Sequence, residues 1–422
     1  MSVGFPTTAA QGIDSTSRSL RILLVLPYVP SPIRVRPLQL IRQLARRGHQ
    51  LTLVCPVGGA ADQAALAELA PFAQTVAVAH RRSDTLRAYL RALPQALPLQ
   101  AAHCLSPAFV MAVRKLLQSN SYDLVHVEHL RGAEVARLAL QGLPEAPPLV
   151  LDAVDSISLL FERTFRRSPV LRTRMIALAD LARTKRYEAQ YGQHFAHVLI
   201  TSPEDRWAIA ALQRQTGLRA PAPISVVPNG VDLDYFHPGT APRDPASLLF
   251  SGKLSYHANE AAALFLVRQV MPLVWAKQPA TRVILAGADP GPRLRALTND
   301  QRICVTGYVP DLRPYLHQAT VAVAPIIYGV GVQNKVLEAL ASATPVVAAR
   351  QATVALAAQP GRDLLVADDH HSFARAIGDL LARPARCAAL GAAGRSYVEQ
   401  HHSWVRSAEQ LEACYAQILC CK

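Results

Sequence analysis

Several features are scarce in this chain. The seven cysteines (Cys55, Cys104, Cys304, Cys387, Cys414, Cys420 and Cys421) are odd in number and no two are spaced as CxxC. That argues against a disulfide framework and for reduced cytosolic thiols. The closing Cys420-Cys421-Lys422 fits no prenylation pattern. No run of about 18 uncharged apolar residues occurs, so no segment reads as a membrane-spanning helix. Residues 1–19 are polar and small, and read as a loose leader and not as a signal peptide. Aromatic residues make up only 6% of the chain and no nucleic-acid module is recognisable. Nucleic acid therefore ranks last among anionic partners. There is no internal repeat of the length that builds solenoids.

Apolar residues, by contrast, fill 50% of a 422-residue chain, enough for two or three cores. The net charge is +14, and 38 of the 44 basic residues are arginine. Such a chain seeks anions: acidic lipid or phosphorylated small molecules. Short apolar runs alternate with helical stretches. Seven fall before residue 230, from "LRILLVLP" (20–27) to "ISVVPN" (224–229), and six follow, from "SLLFSGK" (247–253) to "DLLVAD" (363–368). Runs apolar on both faces and separated by helices predict parallel sheets covered on both sides. The fold class is thus α/β, with two doubly wound Rossmann-like domains facing a cleft. The Pro-rich stretch 236–247 marks a boundary, and Asn229-Gly230 before it suits a turn with positive φ. The expected division is leader 1–19, first domain 20–238, second domain 239–400, and a C-terminal helix 401–422 crossing back to the first. Trp404, Leu411, Tyr415 and Leu419 give that helix its apolar stripe.

The most informative stretch is "IIYGVGVQNKVLEALASATPVVAAR" (326–350), which holds a single acid, Glu338. A strand-like run ends at Ile326 and a helix is expected from near Asn334. Gly329 and Gly331 between them allow close backbone approach. The free N–H groups and dipole at a helix start attract anions, and Lys335 adds a positive charge. Asn334, Lys335 and Glu338 share one helix face. A carboxylate next to a phosphate is repelled, but it accepts hydrogen bonds well from a neighbouring diol. Phosphate at the helix start and diol one turn further on describe a nucleotide. The competing reading of Glu338 is a solvated or dipole-compensating residue. Its apolar neighbours Val336, Leu337, Ala339, Leu340 and Ala341 disfavour a solvated face.

Six segments occur in an order and spacing that resemble a known family. They are "VVPNGVDLDYF" (226–236), "LLFSGKLSYHAN" (248–259), "VTGYVPDLRPYLHQATVAVAP" (305–325), "KVLEALASATPVVA" (335–348), "GRDLLVAD" (361–368) and "HHSW" (401–404). Together they are similar to the retaining, nucleotide-sugar-dependent glycosyltransferases of family 4, which have the GT-B fold, with a cast of bacterial exopolysaccharide synthesis. The resemblance implies that Glu338 holds the donor ribose and that Lys253 reaches the donor diphosphate. It implies that the backbone at Tyr308-Val309 meets the base and that 330–335, including Gly331, Gln333, Asn334 and Lys335, cradles the phosphates. Three departures stand out. Val330 occupies the place of the family's first glutamate, which touches the donor sugar. Asn259 occupies the place of a second lysine, a loss that Lys335 could offset. The glycine-rich loop after the first strand is replaced by "PYVPSPIRVRPLQL" (27–40), which offers Arg34 and Arg36.

On the first-domain side, "YDLVHVEHLRG" (122–132) ends a strand. Family members often carry a His pair here, and alignment on "DLVH" puts Glu128 at the second His, with His129 next. On a strand His126 and Glu128 share a face, and His129 begins the loop. Glu128 and His129 are therefore catalytic candidates with Lys253, Glu128 orienting the acceptor or assisting charge separation. The alternatives are a buried His126 bonded to backbone, a solvated Glu128, or a metal site of His126, Glu128 and His129. Residues 162–188 hold eight basic and three acidic residues. With Arg81, Arg82, Arg87 and Arg91 they could form a face for an anionic bilayer, or a plain solvated face.

The sequence thus points to a cytoplasmic hexosyltransferase, peripheral on the inner face of the membrane, with no cofactor and no metal requirement. Its partners would be a nucleoside-diphosphate sugar and a glycan or lipid-linked acceptor, and no nucleic acid. The rivals are a non-catalytic nucleotide-sugar-binding subunit, favoured by Val330, and a sugar-nucleotide epimerase.

Overall fold

The computed structural model describes residues 18–217 and 221–420. Most of the expected leader, and Cys421-Lys422, lie outside the described residues.

The thirteen apolar runs form thirteen strands in two sheets. The first sheet holds β1 (Arg21–Val25), β2 (Gln50–Val57), β3 (Gln74–Ala79), β4 (Leu124–Glu128), β5 (Leu149–Val154), β6 (His197–Ile200) and β7 (Ile224–Val226), in the order β3-β2-β1-β4-β5-β6-β7. The second holds β8 (Ser247–Ser251), β9 (Arg282–Ala286), β10 (Ile303–Gly307), β11 (Val321–Ala324), β12 (Val346–Ala348) and β13 (Leu365–Val366), in the order β10-β9-β8-β11-β12-β13. Every strand pair is parallel. The reason is visible along β1. Ile22 and Leu24 enter the core on one face, and Leu23 and Val25 enter the core on the other. A strand apolar on both faces is stable only between two helical layers, and parallel crossovers supply both.

In each sheet the strand order reverses once: between β1 and β4 in the first, and between β8 and β11 in the second. The loops leaving adjacent strands part at such a point and leave a crevice beyond the carboxyl ends, where open α/β sheets bind ligands.

The C-terminal helix Trp404–Cys420 does return to the first domain. Trp404, Leu411, Tyr415 and Ile418 are buried in the same cluster as Leu24 and Leu44. Ile418 takes the central place expected of Leu419, which is only partly buried. Tyr415 Oη lies 2.7 Å from His126 Nδ1, and Glu412 pairs with Arg47 and His49 at 2.7 Å each. Gly230 does not adopt positive φ, contrary to the turn expected there. It is glycine because the returning chain crosses it: a Cβ would overlap the backbone of Ser403 and Trp404.

Candidate active site

The second crevice is built from the loops after β8 and β11. The helix Asn334–Ala341 begins where expected, and the N–H groups of Asn334 and Lys335 have no partner among the described residues. Lys335 extends beneath the β8 loop, where Gly252 has φ +137° and a Cβ would lie 2.9 Å from Lys335 Nζ. There Nζ donates to Asn259 Oδ1 at 2.6 Å and stands 4.4 Å from the centre of the Phe250 ring. Asn259 Nδ2 in turn donates to the Lys253 carbonyl at 2.9 Å. The ammonium of Lys335 therefore reaches the position where the family's second lysine is missing.

Burial pushes Lys335 down to about 7, with Glu338 opposing the shift. Burial likewise pushes Glu338 up to about 7, and Lys335 opposes that. Glu338 is partly buried, and its carboxylate accepts no hydrogen bond among the described residues. Both groups are thus drawn out of bulk water without the pairing that would normally accompany it. Lys253 differs: its side chain is 54% exposed, with Nζ 4.0 Å from the Asp289 carboxylate. Asp289 and the exposed Tyr308 line an open hollow of about 530 Å³ with Arg295 and Thr298. Val309, beside Tyr308, is partly buried.

The loop joining β11 to that helix is clasped by the first domain. The Gly331 N–H donates to Asp205 Oδ2 at 3.1 Å. Arg163 Nη1 donates to the Gly329 carbonyl at 2.7 Å and its other nitrogen pairs with Glu204. Arg167 Nη1 donates to the Ile327 carbonyl at 3.3 Å. Gly331 has φ +65°, and a Cβ there would overlap Asp155 Oδ1. Two expectations change. The Gly331 N–H, expected among the phosphate-binding groups, serves Asp205 here and is not free for a ligand. Arg163 and Arg167, counted in the basic face, turn towards the second domain. Gln333 caps the loop, its Nε2 donating to the Val330 carbonyl at 3.3 Å.

Asp155 and Asp205 escaped the sequence reading. Burial and the neighbouring Asp205 push Asp155 up to about 7, and Asp205 is raised by burial too. Asp155 follows β5 directly, and Asp205 lies one turn into the helix Pro203–Gln215 after β6. Acids just beyond parallel strand ends were the available signal.

On the first-domain side the structure corrects four readings. Glu128 is only 2% exposed. It accepts from Tyr28 Oη at 2.8 Å, its Oε2 is unpartnered, and it lines a cavity of about 10 Å³ with His126 and Asp152. Burial pushes it up to about 8. It faces the layer between the sheet and the helix Val35–Arg46, not the crevice. His126 is buried as one alternative had it, but its partner is Tyr415, not backbone. Arg36 is buried and tied to Asp152, with Nε 2.8 Å from Oδ2, so it cannot serve a ligand. His129 starts the helix His129–Leu140 and not a loop, at φ +60°, its Nδ1 accepting from the Arg131 N–H at 3.2 Å. Among the described residues no three His, Cys, Asp or Glu side chains converge as metal ligands.

Residues 35–235 match the family model Glycosyltransferase Family 4, and residues 245–383 match Glycosyl transferases group 1. The D-inositol 3-phosphate glycosyltransferase of Acidothermus cellulolyticus is 26% identical over 303 residues, covering 66% of this chain and 64% of that protein. The chain thus spans just under two thirds of that relative's length. Among solved structures, the sucrose-phosphate synthase of Thermosynechococcus elongatus superposes with a TM-score of 0.69 at 18% identity, over 95% of this chain and 100% of that one. Anabaena HepE, solved in complex with UDP, superposes with a TM-score of 0.66 at 14% identity, over 94% and 100%. Two parallel-sheet domains with the GT-B arrangement, the first matched by the Glycosyltransferase Family 4 model and the second by the Glycosyl transferases group 1 model, identify this chain as a member of glycosyltransferase family 4.

Proposed function

We propose that the protein moves a sugar from a nucleoside-diphosphate donor to a hydroxyl of a glycan or lipid-linked acceptor, with retention at the anomeric carbon. The observation that carries this reading is the pairing on one helix face of Lys335 and Glu338, each drawn from water and neither satisfied by the other. Glu338 would accept from ribose hydroxyls. Lys335, Lys253 and the free N–H groups at Asn334 and Lys335 would take up the charge that builds on the leaving diphosphate. The hollow beside Tyr308 would receive the base. The acceptor hydroxyl would attack on the face the diphosphate leaves, so that electrostatic positioning matters more than a strong base.

A peripheral membrane position draws support from two helices. Leu86 and Leu90 of Arg82–Ala92, and Leu171, Met175 and Ile176 of Leu171–Ala189, are more than half exposed. They stand among Arg82, Arg87, Arg91, Arg172 and Arg174, the mixture of apolar and cationic residues that suits an anionic bilayer surface.

The test is a thermal-shift panel of nucleotide sugars, followed by turnover with the one that stabilises most. Release of the nucleoside diphosphate, with or without an acceptor, supports the transferase. Tight binding without turnover across many acceptors would instead favour a non-catalytic binder, the reading that Val330 recommends. If no nucleotide sugar raises the melting point, both readings fail.

A further inference from the structure

The crevice of the first sheet, between the carboxyl ends of β1 and β4, holds two guanidinium groups without an acid. Arg131 is partly buried in the first turn of the helix His129–Leu140, and its Nε donates to the neutral Gln100 Oε1 at 2.7 Å. Arg34, in the loop after β1, lies with Cζ 3.6 Å from the centre of the Tyr28 ring. Neither arginine has an ion pair with a carboxylate among the described residues. The acids nearby are committed elsewhere. Glu128 is buried and held by Tyr28 Oη at 2.8 Å, and Asp180 accepts from the Leu99 N–H at 2.9 Å. The remaining polar groups, His103 bonded to Tyr89 Oη at 2.7 Å and Cys104 bonded to the Pro27 carbonyl at 3.1 Å, carry no negative charge.

The local field agrees with this inventory. Burial first, then Arg131 and Arg34, push His129 down to about 3, and burial, Arg131, His80 and Arg34 in that order push His103 down to about 4. Burial also lowers Arg131, and Arg34 contributes in the same direction. A cation held from water beside a second cation is costly unless an anion arrives. Guanidinium groups reaching in from two different segments, a loop and a helix start, can share the several oxygens of one phosphate, whereas a single fork suffices for a carboxylate.

We infer that this crevice binds a phosphate group carried by the acceptor, with Arg131 as the inner contact and Arg34 as the outer one. The inference rests on the transferase reading for the word acceptor; the anion site itself does not. The phosphate would place the acceptor on the first domain, opposite the Lys335–Glu338 face of the second.

The experiment is calorimetric titration of inorganic phosphate into the full chain with UDP saturating the second domain. Wild type should bind, and Arg34→Gln and Arg131→Gln should each weaken binding at least tenfold, while Lys335→Gln leaves it unchanged. Arg34 is exposed, so its variant keeps the test open if the Arg131 variant does not fold. Repeating the titration with glycerol 3-phosphate and with phosphatidic acid vesicles separates a soluble phosphomonoester from a lipid-borne one. Phosphate binding that is undetectable, unchanged in both arginine variants, or lost only with Lys335→Gln overturns the site. A separate UDP titration reads the donor side: loss of UDP binding alone would sink the transferase reading and leave the arginine result standing.

Discussion

Lys335 Nζ lies 2.6 Å from Asn259 Oδ1, a neutral partner, although Glu338 stands one turn away on the same helix face. Both side chains are partly buried, and neither is paired with the other or saturated by the protein. A ligand that presents negative charge to one and hydroxyl donors to the other would complete both.

That arrangement sets a pH dependence for donor binding. Lys335 is lowered to about 7, so above that pH the free protein holds it neutral, and a diphosphate must bring a proton with it. Glu338 is raised to about 7, so below that pH the free protein holds it protonated, and a diol must displace the proton. Affinity for a nucleotide sugar should peak near pH 7 and fall on both sides, by up to about tenfold per pH unit. Lys335→Arg, which stays charged, should flatten the alkaline limb, and Glu338→Gln the acid limb. Calorimetry from pH 5.5 to 9 (roughly one and a half to two units either side of the peak) reads both limbs.

Replacing Glu338 with Ala should discriminate between parts of the ligand. A hydrogen bond to a charged group contributes about 1.5–3 kcal/mol, so affinity for a nucleoside diphosphate should fall about 10- to 100-fold. Affinity for inorganic pyrophosphate, which has no ribose, should change little. Equal losses for the two ligands would place the carboxylate away from the sugar ring.

The sheets, their parallel sense and the face shared by Lys335 and Glu338 were legible in the sequence because each depends on local pattern. Ile22 to Val25 are apolar at every position, and Lys335 and Glu338 are three residues apart on a helix. What was not legible depends on contacts between distant segments. Glu128 looked like a cleft residue because it ends a strand, yet Tyr28, a hundred residues earlier, covers it. Arg36 stood out as one of two arginines offered where the family has a glycine-rich loop, but Asp152 holds it inside. Asp155 and Gly331 meet only because two domains meet, and no period along the chain encodes that.

Gly331 should tolerate no side chain. Its φ of +65° disfavours any Cβ, by about 1–2 kcal/mol, and the added atom would also strike Asp155 Oδ1. Gly331→Ala should therefore lower the melting point and weaken donor binding together, since the loop leads directly into Asn334. Adding Asp155→Ala should recover the part due to the collision but not the part due to backbone strain. Full recovery, or none, would show that the clasp does not govern this loop.

Asp155 should also make the clasp sensitive to pH. Its carboxyl is raised from the ordinary range to about 7 by burial and by Asp205. The folded state therefore binds the proton more tightly than the unfolded one, and this contribution to stability is lost as pH rises from about 4 to about 7. Glu128 and Glu188 are raised in the same direction, so the useful quantity is the difference between wild type and Asp155→Asn. That difference in melting point should grow in favour of the variant as pH rises through 7, and be small at pH 4.5 (roughly the low end of the window). A difference independent of pH would remove Asp155 from the titration.

Arg36 should couple the Val227–Asn229 segment to the helix that carries Lys335 and Glu338 without touching a ligand. Its Nε holds Asp152 at 2.8 Å, and its Nη1 holds the Val227 carbonyl at 3.0 Å and Asn229 Oδ1 at 2.9 Å. Asn229 Nδ2 then donates to Asn334 Oδ1 at 3.0 Å, at the first residue of the helix that carries Lys335 and Glu338. Arg36→Met leaves Asp152 as an uncompensated buried charge, which typically costs about 3–5 kcal/mol. Arg36→Met with Asp152→Asn removes that charge and should regain most of the stability. It does not restore the tie from Arg36 through Asn229 to Asn334, so donor affinity in the double variant should stay below wild type, and Asn229→Ala should reproduce the loss. Comparing chemical denaturation with donor titration for these three variants separates the two roles. If affinity returns with stability in the double variant, the hydrogen-bonded path from Arg36 to Asn334 carries no functional coupling.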